Sequence, residues 1–541
     1  MPLDRLKASV SRGLHAVMNP FLVQLYFIFF TFLSEIPLIM QYVQFWKKIG
    51  LVWAALVIVY DLLTERRCLK ARFALPAFGL LIAYFVTVVI NRTVYPAAFQ
   101  SNYLDLFCSV VTLLVLYPPT TNDPEKGMRR LGVINNMLFI LTSIVALIGI
   151  GMFVVQYGAR FVSAINEYDY PVGFVDNRLT GLYRNAIYPT SFIGIAAAVM
   201  QLTRRPRHWW KMLLLCISIF LNFFHICLAY SRGIFIALAV FAAVIVMFLV
   251  KKQMSRYGKP MWLRWGTGVL CAALSAVLVF GLIQVMRKGA AYVPSVAQEW
   301  LGIQMAEPMP NPDEPDPDEP DPDEPDPDEP DPDVTDPDDP SSSTQTQPTN
   351  PNQTDKFSHP ITPIDLDRYI PSTHGTLTGR PIIWRLGLSY FAKKPIFGYG
   401  SYSLQNAVRI SETSQEKLSH FHNIFLHSLV SVGVVGSLFF FALIALVGCR
   451  IIRRLFVEDS TANDTLFIVL SAFFAAMLVI NMADTTLFFL SKNSEFVFWA
   501  YLGYAMLLIK DDRPSRLDAP MRRLDAACDH LKNRLTSRKE R

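Results

Sequence analysis

The sequence predicts an all-α fold, a polytopic membrane helix bundle, and three observations carry that prediction. Of 541 residues, 52% are hydrophobic and only 17% are charged, with a positive mean hydropathy. A soluble chain of this length needs a far more polar surface. The apolar residues also fall in blocks long enough to cross about 30 Å of hydrocarbon, where a helix satisfies its own backbone. Lysine and arginine, finally, are shared unevenly between alternate connecting segments.

Apolar blocks between charged or Pro-rich breaks define roughly twelve spans. The first six are Phe21–Met40, Ile49–Leu63, Phe73–Ile90, Tyr103–Tyr117, Leu131–Val155 and Ala186–Leu202. The second six are Met212–Tyr230, Ile234–Val250, Trp265–Val285, Ile424–Gly448, Leu466–Thr486 and Glu495–Ile509. Only Ser231-Arg232-Gly233 separates the seventh from the eighth, so these two form a tight helical hairpin. The basic, polar stretch Met1 to Asn19 lacks a small-residue cleavage site, and the first span is expected to act as its own insertion signal.

With the N-terminus inside, the inner segments hold 32 of the 50 Lys and Arg residues. The outer ones hold 8, apart from 10 in a loop long enough to translocate regardless of charge. Both termini are therefore expected in the cytoplasm. Spans one to nine occupy 1–285, an extracytoplasmic loop 286–421, spans ten to twelve 422–509, and a basic cytoplasmic tail 510–541. That tail is expected as an amphipathic helix near anionic lipid.

The loop contains two kinds of sequence. Residues 307–356 form an acidic, Pro-rich insert built on a Pro-Asp-Pro-Asp-Glu repeat, with 17 Asp and Glu between Glu307 and Asp339 and no Lys or Arg. Removing those 17 charges turns a net +6 into +23. The insert has no apolar residue to pack between Pro312 and Asp333, so a solvated linker is expected. Residues 379–394 differ. Pro381 at a helix start, an apolar stripe around Trp384, and Lys393-Lys394-Pro395 as a stop predict an amphipathic helix on the membrane surface. The basic excess needs no nucleic acid partner, since the positive-inside bias explains it. The seven cysteines form no disulfide framework or zinc-like CxxC pair.

Three features exceed what a bland bundle requires. Arg232 stands at a membrane boundary, where a guanidinium needs water or an anion; a snorkelling side chain is the plain alternative. Arg380 opens the amphipathic helix, with an ordinary surface charge as its alternative. His422, in Ser419-His420-Phe421-His422-Asn423, enters the tenth span, where a polar cap would also explain it. His420 and His422 suggest a metal pair, but no third ligand is evident and none is expected.

Four stretches stand in order along the chain: Leu179-Thr180-Gly181-Leu182-Tyr183-Arg184-Asn185, Tyr230-Ser231-Arg232-Gly233, Gly379-Arg380 through Trp384 to Phe397-Gly398-Tyr399-Gly400, and His422-Asn423 with Leu426 and Gly433 to Gly436. On these stretches the chain resembles the O-antigen ligase and O-antigen polymerase superfamily of bacterial membrane glycosyltransferases. Where the family often has Pro-Asn after the Gly181 segment, this chain has Asn185-Ala186, and the acidic repeat is an insertion. The resemblance implies a cofactor-free, metal-independent enzyme of the bacterial cytoplasmic membrane. It would transfer a glycan from undecaprenyl pyrophosphate to a hydroxyl of a glycan or lipid acceptor, among membrane lipids. Catalytic roles then fall on His422 as base and on Arg232 and Arg380 at the pyrophosphate; Arg184, Asn185, Trp384 and Asn423 are the implied substrate-binding residues. A polymerase joining lipid-linked repeat units is an alternative. A transporter is another, with Glu35 before Pro37 as its best feature, though the halves show no internal repeat. A scaffold reading would rest on the acidic loop alone.

Overall fold

The computed structural model describes residues 13–162, 169–175, 177–183, 187–302, 364, 366, 380–403, 420–457, 464–489, 492–509 and 518–539. The acidic insert 307–356 lies outside the described residues, as do Arg184 and Asn185. Nine of the described helices are long and apolar enough to cross a membrane, by length and composition. The chain is an all-α polytopic membrane protein.

The first helices are α1 (Pro20–Leu33) and α2 (Pro37–Leu63), which meet at a turn over 34–36. Asn19 caps α1 by accepting from Phe21 N at 3.1 Å. The expected first span, Phe21–Met40, is thus corrected: Pro37 has no N–H to continue a helix and opens a new one. Glu35 consequently sits in the turn. Next come α3 (Arg67–Lys70), α4 (Ala74–Asn91), α5 (Pro96–Val111) with a π-helical extension Thr112–Leu116, and α6 (Pro124–Val154).

A three-stranded antiparallel sheet follows: β1 (Gly158–Val162), β2 (Asp169–Val175) and β3 (Arg178–Gly181), in that order. Its register pairs Gly158 with Gly173 and Val175 with Arg178. Helical periodicity gave no sign of it. Its inner face, Leu179 and Phe174, packs on Phe153, Leu228 and Ala290 at the helix ends.

The remaining helices are α7 (Ile187–Leu202), α8 (Trp209–Ala229), α9 (Arg232–Arg256), α10 (Met261–Ala290) and α11 (Val293–Leu301). Then come α12 (Arg380–Lys393), α13 (Ile424–Val457), α14 (Asp464–Asn481), α15 (Asn493–Leu508) and α16 (Ala519–Lys539). The chain turns between α8 and α9 at Tyr230, whose φ of +45° lies in the left-handed region, but the expected tight hairpin is corrected: α8 packs on α6 and α7, and α9 on α10 and α14. At the centre, α14 and α15 are buried on nearly every side by Phe192, Phe473, Trp499 and Tyr501. Several polar groups there are paired: Tyr501 bonds Asn135 Oδ1, and Gln24 donates to the Val115 and Leu116 carbonyls of the π-helical extension.

Two ends of the bundle can be told apart by contacts. At one, Lys251 donates to Leu455 O at 2.9 Å and Lys252 pairs with Asp464 at 3.3 Å, joining the end of α9 to the α13–α14 junction. The C-terminal helix belongs to a similarly basic surface. Its Asp525 and Asp529 pair with Arg66, Asp518 accepts from Phe73 N, and Met521 packs on Cys68, Leu69 and Ala74. The tail is helical, as expected, and it is held by protein. Because the end of α9 meets the end of α13 and the start of α14, the opposite ends of these helices share the other side. Arg232 and His422 therefore lie at the same end of the bundle.

Candidate active site

A break in α13 builds the site's frame. Gly433 has φ +64° and ψ −170°, which interrupts the helical hydrogen bonds. The strand-like segment after α12 fills the gap. Val434 N donates to Pro395 O at 2.7 Å and Val435 N to Ile396 O at 3.2 Å. In return, Tyr399 N reaches Val430 O at 3.0 Å and Gly400 N reaches Ser431 O at 2.8 Å. A Cβ on Gly433 would collide with the Ile396 backbone, so the break and the docking segment require each other. Non-helical backbone at membrane depth is tolerated only where protein satisfies it in this way.

The polar residues of α4 and α5 complete the dock. Thr87 donates to Phe397 O, Asn91 to Gly398 O, and Lys394 Nζ to Asn91 Oδ1. Buried Asp105 accepts from Tyr84 at 2.6 Å and from Ser401 at 2.8 Å. Helix α12 is then seated by its apolar stripe. Ile383 and Trp384 pack with Phe421, Leu426 and Tyr399. At Gly387, a Cβ would stand 2.8 Å from Leu426 Cδ2, which leaves room for nothing larger.

This scaffold brings Arg380, the first residue of α12, towards the segment that starts α13. There Asn423 Oδ1 accepts from Phe425 N and Leu426 N, and Nδ2 donates to Met482 O at the end of α14. Asn423 thus caps α13 and ties it to α14. His422, just before it, is half-buried and adopts φ +49°, a conformation rare for a residue with a Cβ.

Beside His422 stand His420 and Asp484. The two imidazoles have ring centroids 4.1 Å apart. Asp484 lies in the turn after α14, and its Oδ1 is 2.9 Å from His420 Nε2 and 3.9 Å from His422 Nδ1. A carboxylate only accepts, so His420 is the donor. Asp484 Oδ1 also takes Thr485 N at 2.7 Å.

Charge explains the protonation states. Burial, then His420, push His422 down to about 3, with Arg380 and Lys492 adding to the effect and Asp484 opposing it. His420 is lowered by burial and by Lys492, against the Asp484 hydrogen bond. Burial alone would raise Asp484, but Lys492 and the hydrogen bond from His420 outweigh it and keep the carboxyl well below its usual range. Both imidazoles are neutral and Asp484 is ionised at neutral pH.

The expectation that His420 and His422 have no third ligand is corrected. Asp484 brings a donor atom within 4.8 Å of both, a grouping from which a metal could be held. Its other charged neighbours are cations, Arg380 and Lys492, and that field favours an anion over a second cation.

Of the expected residues, the structure thus gathers His422, Arg380 and Asn423 at one place. Trp384 lies in the apolar seat of α12, with no partner on its Nε1. Arg232 opens α9 at the same bundle end, exposed beside Tyr230, and Arg287 covers the Tyr230 ring at 3.8 Å. Asp484, Lys492 and Arg287 were not singled out in the sequence; each is a charge near a span end, with no motif around it.

Comparison with known proteins agrees with the resemblance. The family described as O-antigen ligase matches residues 217–441, a stretch that begins in α8 and contains Arg232, Arg380 and His422. No curated protein matches the chain. By that match this multi-pass membrane protein is similar, over residues 217–441, to the O-antigen ligase family.

Proposed function

We propose that the chain transfers a glycan from undecaprenyl pyrophosphate to an acceptor hydroxyl at the outer face of the bacterial cytoplasmic membrane, without a metal. The observation that carries this reading is the meeting of neutral His422, ionised Asp484 and Arg380, at the bundle end shared with Arg232. His422 takes the proton of the acceptor hydroxyl, whose oxygen attacks the anomeric carbon. The bond from that carbon to the phosphate oxygen breaks, and the lipid leaves as its pyrophosphate. Arg380 and Arg232 fork onto that leaving group and stabilise its growing charge. Before substrate binds, burial and the neighbouring His420 keep His422 a weak base, and the cationic field of Arg380 and Lys492 adds to the effect. An arriving diphosphate cancels that field and raises the imidazole's basicity where it is needed.

The test is transfer from a synthetic undecaprenyl-pyrophosphate glycan by the full chain in lipid nanodiscs. His422→Ala is expected to lose transfer by about 10²–10⁴-fold while donor binding holds, the usual contribution of a general base. Arg232→Ala should weaken donor binding and rate together, and Arg232→Lys should recover only part, since a point charge cannot replace the fork. Full activity in His422→Ala would sink the reading. A ladder of lengthening lipid-linked product, in place of transfer to a separate acceptor, would make the protein a polymerase.

A further inference from the structure

Lys492, at the N-terminus of α15, is near enough to the same cluster for its charge to act on His420, His422 and Asp484. It is the N-cap residue of that helix and supplies no side-chain cap, although Asn493, Ser494 and Glu495 behind it are buried. Helix starts carry unsatisfied backbone N–H groups and a partial positive charge, and a buried start without a cap lacks its usual partner. Among the described residues, the neighbouring side chains do not supply one. Ser494 donates away to Thr486 O, and Glu495 is paired with Thr112 Oγ1 on α5 at 3.4 Å.

Independent signs point to a ligand here. Asn493 is 1% exposed, yet neither its Nδ2 nor its Oδ1 has a hydrogen-bond partner. His427, on the first turns of α13, is 2% exposed and neither ring nitrogen is bonded. It lies against Phe489, three residues before Lys492, and against Phe421, the residue between the two site histidines. Buried polar groups in folded proteins are almost always paired, so orphans that flank one site mark where polar atoms are to be received. Lys492 itself is half-buried, and its charge acts on Asp484, His420 and His422 across the cluster.

We propose that Lys492 and the N-terminus of α15, with the amide of Asn493, form a third anion subsite that holds a phosphate of the donor's diphosphate. This rests on the glycan-transfer reading of the same site. Arg380 approaches the cluster from α12 and Lys492 from α15, so the two cations hold the diphosphate from two separate elements beside His422. A hydroxyl-bearing acceptor offers no comparable charge, so the subsite selects the donor. Lys492 is a substrate-binding residue in this scheme, and Asn493 fixes the orientation of the phosphate oxygens.

The experiment measures binding of inorganic pyrophosphate to the full chain in nanodiscs by calorimetry, with thermal midpoints taken alongside. Lys492→Ala is expected to weaken binding about 10-fold, Lys492→Arg to restore most of it, and raised salt to narrow the gap. Midpoints should stay within a degree or two of the parent. If Lys492→Ala binds as the parent does while Arg380→Ala loses binding, the third subsite is wrong and the site reading stands. If neither substitution matters, or the parent binds no pyrophosphate, the donor reading falls and takes the subsite with it. Lost binding that Lys492→Arg fails to restore, with a lowered midpoint, would show a structural role only and overturn the inference.

Discussion

At the scale of single residues, His422 combines an unusual backbone with an unusual protonation state. A left-handed φ on a histidine persists only where its surroundings overdetermine it. Here the Asn423 cap on one side and the packed Phe421 on the other do so. The lowered imidazole has a measurable consequence. An ordinary histidine, near 6.5, would lose half its free base at that pH; one near 3 does not. The kcat/KM profile of the free enzyme is therefore expected to show no acid limb around 6.5, and an inflection there in the parent but not in His422→Gln would contradict the neutral base. Stability follows the same sign. His420 and His422 are held below their unfolded values, so the unfolded chain binds more protons as pH falls below about 6.5. Asp484, also lowered, acts in the same direction at still lower pH. Thermal midpoints should fall on acidification and stay flat above neutrality.

Among elements, the decisive one is the broken helix. A continuous α13 would leave the segment after α12 with unsatisfied backbone and no seat, and Arg380 would have no fixed distance from His422. Gly433→Ala places a Cβ at φ +64° and ψ −170°, a region essentially confined to glycine, at a cost of about 1–3 kcal/mol before any clash. The added carbon also meets the Ile396 backbone. The expected result is a thermal midpoint several degrees lower, read by size-exclusion after heating, with transfer reduced further than stability alone explains. Parent-like stability and activity in this variant would mean that the dock does not position the site. The amphipathic helix was legible from Pro381 and the stripe at Trp384. Its docking was not, because Tyr84, Thr87, Asn91 and Asp105 read as isolated polar residues in apolar spans until the 394–403 segment is laid against them.

For the whole molecule, the asymmetry of charge sets the expected topology. The end carrying Lys251, Lys252 and Arg454 is proposed as cytoplasmic, and the end carrying His422 as outer. Cysteines placed at Ser342 and Ser515 test this: a membrane-impermeant maleimide should label the first in intact cells and not the second. The reverse pattern would put the proposed site on the wrong side of the membrane for its donor. Excising Pro312–Asp333 should leave transfer intact, since the repeat carries only Pro, Asp and Glu and cannot pack. If the shortened protein reached the membrane yet lost activity, the linker reading would fail.

The sequence by itself determined the class of this protein and the positions of most helices, because crossing hydrocarbon demands long apolar blocks that are written locally. It also marked Arg232, Arg380 and His422, since a charge or imidazole at a membrane boundary stands out against its neighbours. Only the tertiary structure decided what surrounds them. Asp484 meets His422 across 62 positions of chain, and Lys492 reaches the cluster only through the start of another helix. The small sheet after α6 and the break at Gly433 were hidden for a related reason: short strands and single glycines leave no periodic signal. Such features are settled by which backbone groups find partners, and the partners come from distant segments.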